Sequence, residues 1–369
     1  MELSIIIATS GRVEKIRRLL ESICRAAGRD KFDHEIVIAN NAADDQKAAD
    51  VEALVNEFDQ RNGVRCWQVR EPTPGKCRAQ NKTIPQVKGD LIAFLDDDVE
   101  VAPEWLDAIH SFFESFPHDA MQGSILMRPE DRRNEELQSA LRRYRTVYFL
   151  DYGYPQGTDL KTLTGGNMTV RRDVFASVGM FDERLGPGGF GISEDVEFAG
   201  RLIRAGKRIG WAPKAAVYNE LDPSRLCEAE FRRRHEAQGR SRLAYKDSSY
   251  FSIVPNLLRS VWTFGWYSLV GNIRKKGPKR VLWEYVFRST RFQEIAIVDN
   301  ITAVRKVKQA GYGARIRKSV TLAARALYIA ARKSHVPNSR RWGRNLLRKL
   351  TAQAWMPLVL CVFSASIAR

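Results

Sequence analysis

The first third of the chain alternates short apolar runs with longer amphipathic ones. Residues 3–8, 35–39, 64–69 and 91–95 are short, mostly apolar β-branched runs of strand length. Between them, 13–27, 46–58 and 77–87 repeat their apolar positions at helical spacing. This alternation predicts an α/β fold, a Rossmann-like, mostly parallel sheet with helices on both faces. Ligands of such sheets sit at the carboxyl ends of the strands. The polar residues that follow each run are therefore the ones to inspect: Thr9-Ser10-Gly11-Arg12, Asn40-Asn41, Glu71-Pro72 and Asp96-Asp97-Asp98.

The triple aspartate is the most informative of these. The run before it is apolar enough to be buried on both faces, and it ends abruptly in three carboxylates that repel one another. Three such charges need a strong counter-charge, most simply a divalent cation. In extended chain Asp96 and Asp98 face the same side, about 6.6 Å apart at roughly 3.3 Å per residue, close enough to share a metal–diphosphate unit. The plainer alternative is a solvated turn or cap before a helix starting near Pro103.

A second cluster lies further on. Thr164-Gly165-Gly166-Asn167-Met168 puts two glycines where a backbone approaches something closely. The glycine segment 186–191 reads as flexible and runs into Ser193-Glu194-Asp195. Ser193 is placed to cap a helix, with Glu194 and Asp195 in its first turn, where the dipole favours ionised carboxylates. A mobile loop with a carboxylate at its edge suits a general base. Gly186, Gly188 and Gly191 formally match G-x-G-x-x-G, but that fingerprint must follow a strand, and here Asp182-Glu183-Arg184 and a proline precede it. No nicotinamide or flavin site is expected.

Charge divides the chain. The net charge of +17 comes from the tail, since residues 271–369 hold 22 Lys/Arg against 3 Asp/Glu, leaving the rest at −2. Such a block calls for a polyanion, either anionic lipid or nucleic acid. Ile316, Val320, Ala323, Leu327 and Ala331 recur at helical spacing, with Lys318, Arg325 and Arg332 on another face, which is the pattern of a basic amphipathic helix. Trp262, Trp266 and Tyr267 suit a headgroup boundary. Residues 350–368 carry no charge over 19 positions, but Thr351, Gln353, Pro357, Ser364 and Ser366 dilute them. An interfacial helix on an anionic membrane surface is expected ahead of a true span or ordinary packing. Nucleic acid is not expected as a partner, because no recognised module appears and the apolar end would be unexplained.

Two regions follow, 1–245 as a catalytic domain and 246–369 as a basic, helical, membrane-associating region. Cys24, Cys66, Cys77, Cys227 and Cys361 are odd in number and lack metal-ligand spacing, which fits buried thiols in a reducing compartment. His34, His110, His118, His235 and His335 likewise show no ligand spacing. Met1 leads straight into a strand with no basic leader, so the expected location is the cytoplasmic face of the inner membrane, peripheral or monotopic.

Over residues 2–241 these motifs, in this order, resemble the inverting family 2 glycosyltransferases of the type A nucleotide-sugar fold. Thr9 and Arg12 resemble that family's nucleotide-pocket entry. Residues 75–81 and 89–98 resemble its helix and D-x-D strand, 164–170 its acceptor-side Gly-Gly-Asn strand, and Glu194-Asp195 its pair containing the base. The resemblance implies a donor site for a UDP-, GDP- or dTDP-sugar made by Thr9, Arg12, Asn40, Lys76, Arg78, Asp96 and Asp97. It implies Mn2+ or Mg2+ held by Asp98 and Asn219, with Lys76 or Arg78 neutralising the leaving diphosphate. Gly165, Gly166, Asn167, Glu194 and Arg234 would face the acceptor, and Asp195 would deprotonate its hydroxyl.

Three departures shape the expectation. Ala39-Asn40-Asn41 stands where the family has an acidic base reader, which leaves Asn40 to bond a pyrimidine. Asn219 replaces a frequent histidine ligand. Phe231-Arg232-Arg233-Arg234-His235 replaces the Gln-x-x-Arg-Trp signature of processive synthases, so addition of one sugar is expected, to a lipid-linked or polysaccharide acceptor of envelope glycan assembly. His235 in that cluster is a candidate contact for a phosphate-bearing acceptor, with a solvated helix face as the alternative. A sugar-1-phosphate nucleotidyltransferase would need a glycine-rich basic loop after the first strand, and Ser10-Gly11-Arg12 is too short for one. An inactive membrane-bound scaffold of the same fold is the remaining rival.

Overall fold

Each early apolar run is a strand in the computed structural model, which describes residues 1–28, 33–61, 64–144, 149–189 and 191–245. Strands β1 (Glu2–Thr9), β2 (Asp33–Asn40), β3 (Arg65–Arg70) and β4 (Leu91–Asp96) pair in parallel in the order β3-β2-β1-β4. Helices α1 (Val13–Arg25), α2 (Asp45–Arg61) and α3 (Lys76–Thr83) connect them, the last continued by a tight turn over Ile84–Gln86.

Alternation sends side chains to two separate cores, which is why the central stretches of β1, β2 and β4 are apolar at successive positions. Leu3, Ile5, Ile7, Ile36, Ile38, Leu91, Ala93 and Leu95 pack on one face with α1 and α2, while Ile6, Ala8, Val37, Ala39, Ile92 and Phe94 pack on the other. Full burial of each large aliphatic side chain contributes about 1.5–3 kcal/mol.

The second half of the domain is mixed. It comprises β5 (Val99–Val101), α4 (Trp105–Ser115), β6 (Ala120–Met127), α5 (Pro129–Arg133), α6 (Glu135–Tyr144), β7 (Asp159–Leu160), β8 (Asn167–Arg171), α7 (Val174–Val178), α8 (Glu194–Arg204), β9 (Ile209–Asn219) and α9 (Glu228–Tyr245). The sheet continues from β4 as β8-β6-β9-β5, with β7 also on β9. β8 runs antiparallel to both β4 and β6, and its first residue, Asn167, pairs with Leu95. The Gly165-Gly166 loop is thereby delivered to the end of β4. β5 is antiparallel to β9 with Val99 opposite Asn219, which brings the end of β9 beside Asp98.

Four phenylalanines fix the helix that carries Glu194 and Asp195 relative to β4. Phe94 meets Phe181 edge-on at 5.3 Å, Phe181 meets Phe198 at 4.8 Å, and Phe198 stacks on Phe175 at 5.3 Å. Such pairs add about 0.5–1.5 kcal/mol each beyond burial. The thiol of Cys66 is buried and pushed up to about 12 by desolvation, consistent with a structural role.

The described residues lie within one compact unit. Trp262, Trp266, Tyr267, the amphipathic pattern over 316–332 and the uncharged stretch 350–368 lie outside the described residues. Among the described residues, no helix is long and apolar enough to cross a membrane.

Candidate active site

Two carboxylate clusters meet where β4, β9 and the start of α8 converge. The first is the triple aspartate. The strand ends at Asp96 and the chain turns at Asp97 and Asp98, so the extended geometry expected for the three residues holds only for the first. Asp97 points inward and is 1 % exposed. It accepts a 2.6 Å bond from the Thr9 hydroxyl and bonds from Nε and a terminal nitrogen of Arg12. Thr9 Oγ1 in turn accepts the backbone N–H groups of Gly11 and Arg12. Thr9, Arg12 and Asp97 therefore lock the loop after β1 onto the end of β4. Asp97 and Thr9 are buried supports here and present no open face to a donor.

Asp98 accepts from two arginines at once, Arg12 and Arg225, both at 3.2 Å to the same oxygen. Arg225, in the turn Pro223–Arg225 before α9, is a site residue that sequence reading passed over, having no motif around it. Against burial, Asp97 and Asp98 keep the Arg12 guanidinium firmly charged.

The second cluster is centred on Lys76. Its ammonium donates to Asp96 at 2.6 Å and stands 3.5 Å from Glu194. Asp195 Oδ2 accepts the backbone N–H of Gly165 at 2.9 Å, and its other oxygen accepts that of Val196 at 2.8 Å. Burial, then the neighbouring Glu194 charge, push the Asp195 carboxyl up to about 7, with Lys76 and the two backbone N–H groups holding it back. A carboxylate tuned to that value is matched to proton transfer near neutral pH. A Cβ on Gly165 would stand 3.3 Å from Lys76 Nζ and one on Gly166 3.1 Å from an Asp96 oxygen, tight approaches that the two glycines avoid.

Ser193, just before α8, does not cap the helix through its side chain. It holds a left-handed backbone, φ 73°, alone among described non-glycine residues. Such strain costs on the order of 1–3 kcal/mol and persists where the surroundings impose it. They do so here: Ile192 N–H donates to Ser241 Oγ of α9 at 2.6 Å. The glycine segment expected to be flexible is packed on the site. A Cβ on Gly188, φ 90°, would lie 2.8 Å from the Gly75 backbone, and Pro187 C=O accepts Lys76 N–H at 2.9 Å. These glycines serve close backbone approach and fix the start of α3.

Several expected contacts fall elsewhere. Asn40 is fully buried, and both its amide protons are engaged by Ala48 C=O and the Gln68 side chain while its oxygen accepts Ala42 N–H. It shapes the strand end and has no donor left for a pyrimidine. Asn167 is also fully buried, bonded to Ser124 C=O, Ala215 C=O and Trp105 Nε1, so it pins the sheet and does not face an acceptor. Arg78 pairs with Glu183 at 3.5 Å, away from Asp96. His235 is buried against Phe231, with burial lowering its basicity, and so is not a phosphate contact; Arg234 is half-buried beside it. Asn41, by contrast, ties β2 to the start of α3 by bonding Glu71 C=O, Thr73 C=O and Gly75 N–H.

Among the described residues, no group of three or more His, Cys, Asp or Glu side chains is placed to hold a metal. What the site offers is Asp98 and, across the β5–β9 register, Asn219, whose buried Oδ1 has no hydrogen-bond partner. Two hard oxygens, one of them an orphan, fit a Mg2+- or Mn2+-type ion completed by substrate phosphates.

The family described as Glycosyl transferase family 2 matches residues 4–179. Residues 4–179 are a glycosyl transferase family 2 domain, in the α/β fold described above. Chondroitin synthase of Escherichia coli is 20 % identical over 258 residues, covering 62 % of this chain and 36 % of its own length. The O-antigen biosynthesis protein RfbC of Myxococcus xanthus is 25 % identical over 240 residues, covering 62 % of this chain and 18 % of its own. The chain thus spans well under half the length of these relatives. Among solved structures, S. aureus TarS 1-349 has a TM-score of 0.46 at 16 % identity, covering 85 % of this chain and 94 % of that one. The mannosyltransferase PcManGT of Pyrobaculum calidifontis, solved with GDP-Man and Mn2+, has a TM-score of 0.45 at 16 % identity, covering 96 % and 87 %. The family match ends at residue 179, before helix α8 with its Glu194 and Asp195.

Proposed function

We propose that this glycosyltransferase moves a single sugar, with inversion, from a nucleoside-diphosphate sugar to an acceptor hydroxyl, using Asp195 as the general base. The observation that carries the reading is the Asp195 carboxylate. It stands across Lys76 from Asp96, is aimed by the Gly165 N–H, and is shifted to about 7. Asp195 takes the acceptor proton, the acceptor oxygen bonds to the anomeric carbon, and the bond from that carbon to the diphosphate oxygen breaks on the opposite face. Asp96 orients the donor ribose. Asp98 and Asn219 would hold a Mn2+ or Mg2+ ion, which would supply positive charge to the diphosphate. Arg12 and Arg225, already against Asp98, add cationic charge on the same side.

The acceptor in this reading is lipid-linked or polysaccharide, in envelope glycan assembly. The names of the relatives, a chondroitin synthase and an O-antigen protein, support a glycan acceptor. The basic block over 271–369 supports attachment to the cytoplasmic face of an anionic membrane. Liposome flotation with and without anionic lipid tests the attachment, and failure to float with anionic vesicles removes it. The transfer itself is tested by donor-panel turnover in wild type and Asp195→Asn, where undiminished activity in the variant would overturn Asp195 as base.

A further inference from the structure

We infer that Lys76 is a positioning residue for the base: it joins the donor-side carboxylate Asp96 to the Glu194–Asp195 pair and sets their charge, and it is not a ligand of the donor diphosphate. The inference rests on the reading of Asp195 given above.

The geometry is specific. The Lys76 side chain is 13 % exposed, with its ammonium 2.6 Å from Asp96 and 3.5 Å from Glu194. Its backbone is pinned on both sides, Lys76 N–H by Pro187 C=O at 2.9 Å and Gly75 N–H by Asn41 Oδ1 at 2.8 Å. The absence of a Cβ on Gly165 leaves the space above the ammonium open to Asp195, whose own Cβ lies 3.8 Å from that position. One cation thus serves three carboxylates, Asp96, Glu194 and Asp195. Arg12 and Arg225, by contrast, lie against Asp98, where a diphosphate and its metal would sit.

The groups facing Asp195 are few. Glu194 comes from its own helix, Lys76 and the thiol of Cys77 from α3, and the uncharged Gly165 N–H from the loop before β8. Burial holds the Cys77 thiol protonated, and Asp182, which also acts on it, is paired with Arg184 at 2.6 Å. Lys76 is therefore the cation that acts on Asp195. Removing an opposite charge this close moves a carboxylate up by about 1–3 pH units.

The test compares Lys76→Met, Lys76→Arg and Lys76→Met with Glu194→Gln. Two quantities are read: the acid limb of kcat/KM for the acceptor, and the Kd of UDP, GDP or dTDP, whichever wild type binds, with Mn2+ present. The expected result is an acid limb displaced upward by at least about one pH unit in Lys76→Met, with nucleotide Kd changed less than about threefold. Lys76→Arg should return the limb to its wild-type position, and so should the double variant, because removing the Glu194 charge compensates for the lost cation. A Kd raised tenfold or more with the limb unmoved makes Lys76 a diphosphate ligand and overturns the inference. If Lys76→Met unfolds, Lys76→Gln removes the same charge while keeping a side chain that can hydrogen-bond Asp96, and the same two readouts decide. Loss of the Lys76 role leaves Asp195→Asn inactive, whereas an active Asp195→Asn fells the underlying reading.

Discussion

Asp97 and Asp98 face two guanidinium groups, those of Arg12 and Arg225, whereas Asp96, Glu194 and Asp195 share the single ammonium of Lys76. In the first cluster each carboxylate meets fixed positive charge, and at Asp97 the Arg12 guanidinium and the Thr9 hydroxyl work against a burial that still pushes its carboxyl up. The second is short of cations, and Asp195 holds a proton up to about 7. Five aspartate and glutamate side chains in one cleft therefore divide into a pair matched by arginines and a trio that shares one ammonium, and the acid–base residue lies in the second group.

The largest effect should come from breaking the second cluster. Asp195→Asn keeps the Gly165 bond available but has no base, and kcat is expected to fall by about 10²–10⁴ with nucleotide Kd unchanged. The first cluster comes next. Asp98→Ala removes the oxygen proposed to hold the metal, and kcat/KM should fall on the order of 10²–10³, with a weakened response to Mn2+ titration. Mn2+ dependence equal to wild type in that variant would remove Asp98 as a ligand.

Stability as a function of pH sharpens the contrast. The folded-state carboxyl of Asp195 is raised from 3.8 to about 7. Its contribution is therefore fully present below 3.8 and is lost as the pH rises through about 7. Thermal melts should show Asp195→Asn gaining on wild type at pH 8 and matching it at pH 4. A gain independent of pH would contradict the shift. Gly188→Ala, with φ 90° and a Cβ 2.8 Å from the Gly75 backbone, should cost about 1–3 kcal/mol in urea unfolding. The smallest change is expected at the periphery. Arg17→Ala breaks the 2.9 Å pair with Glu57 on the α1–α2 surface and should cost at most about 1 kcal/mol.

The parallel half was legible in the sequence because β1, β2 and β4 are buried on both faces along most of their length, which leaves nearly unbroken apolar runs. β6, β7 and β5 were not. β7 has two residues and β5 three, and the place of β8 between β4 and β6 depends on partners far apart in the chain. The site divided the same way. Asp96, Asp98 and Asp195 carry chemistry in their residue type and position. Whether Asn40 and Asn167 face a ligand or the interior depends on Gln68, Ala48, Ser124 and Trp105, which no local pattern brings together. Arg225 lies 127 residues from Asp98 and has no motif to announce it.

The measurement that bears most directly on the central claim is release of free nucleoside diphosphate from a panel of UDP-, GDP- and dTDP-sugars with Mn2+ or Mg2+. Membrane extract serves as acceptor, and wild type is compared with Asp195→Asn and Asp98→Ala. Turnover of one donor that disappears in both variants is the predicted result. No donor turned over, or variants as active as wild type, would contradict the account and favour an inactive scaffold of the same fold.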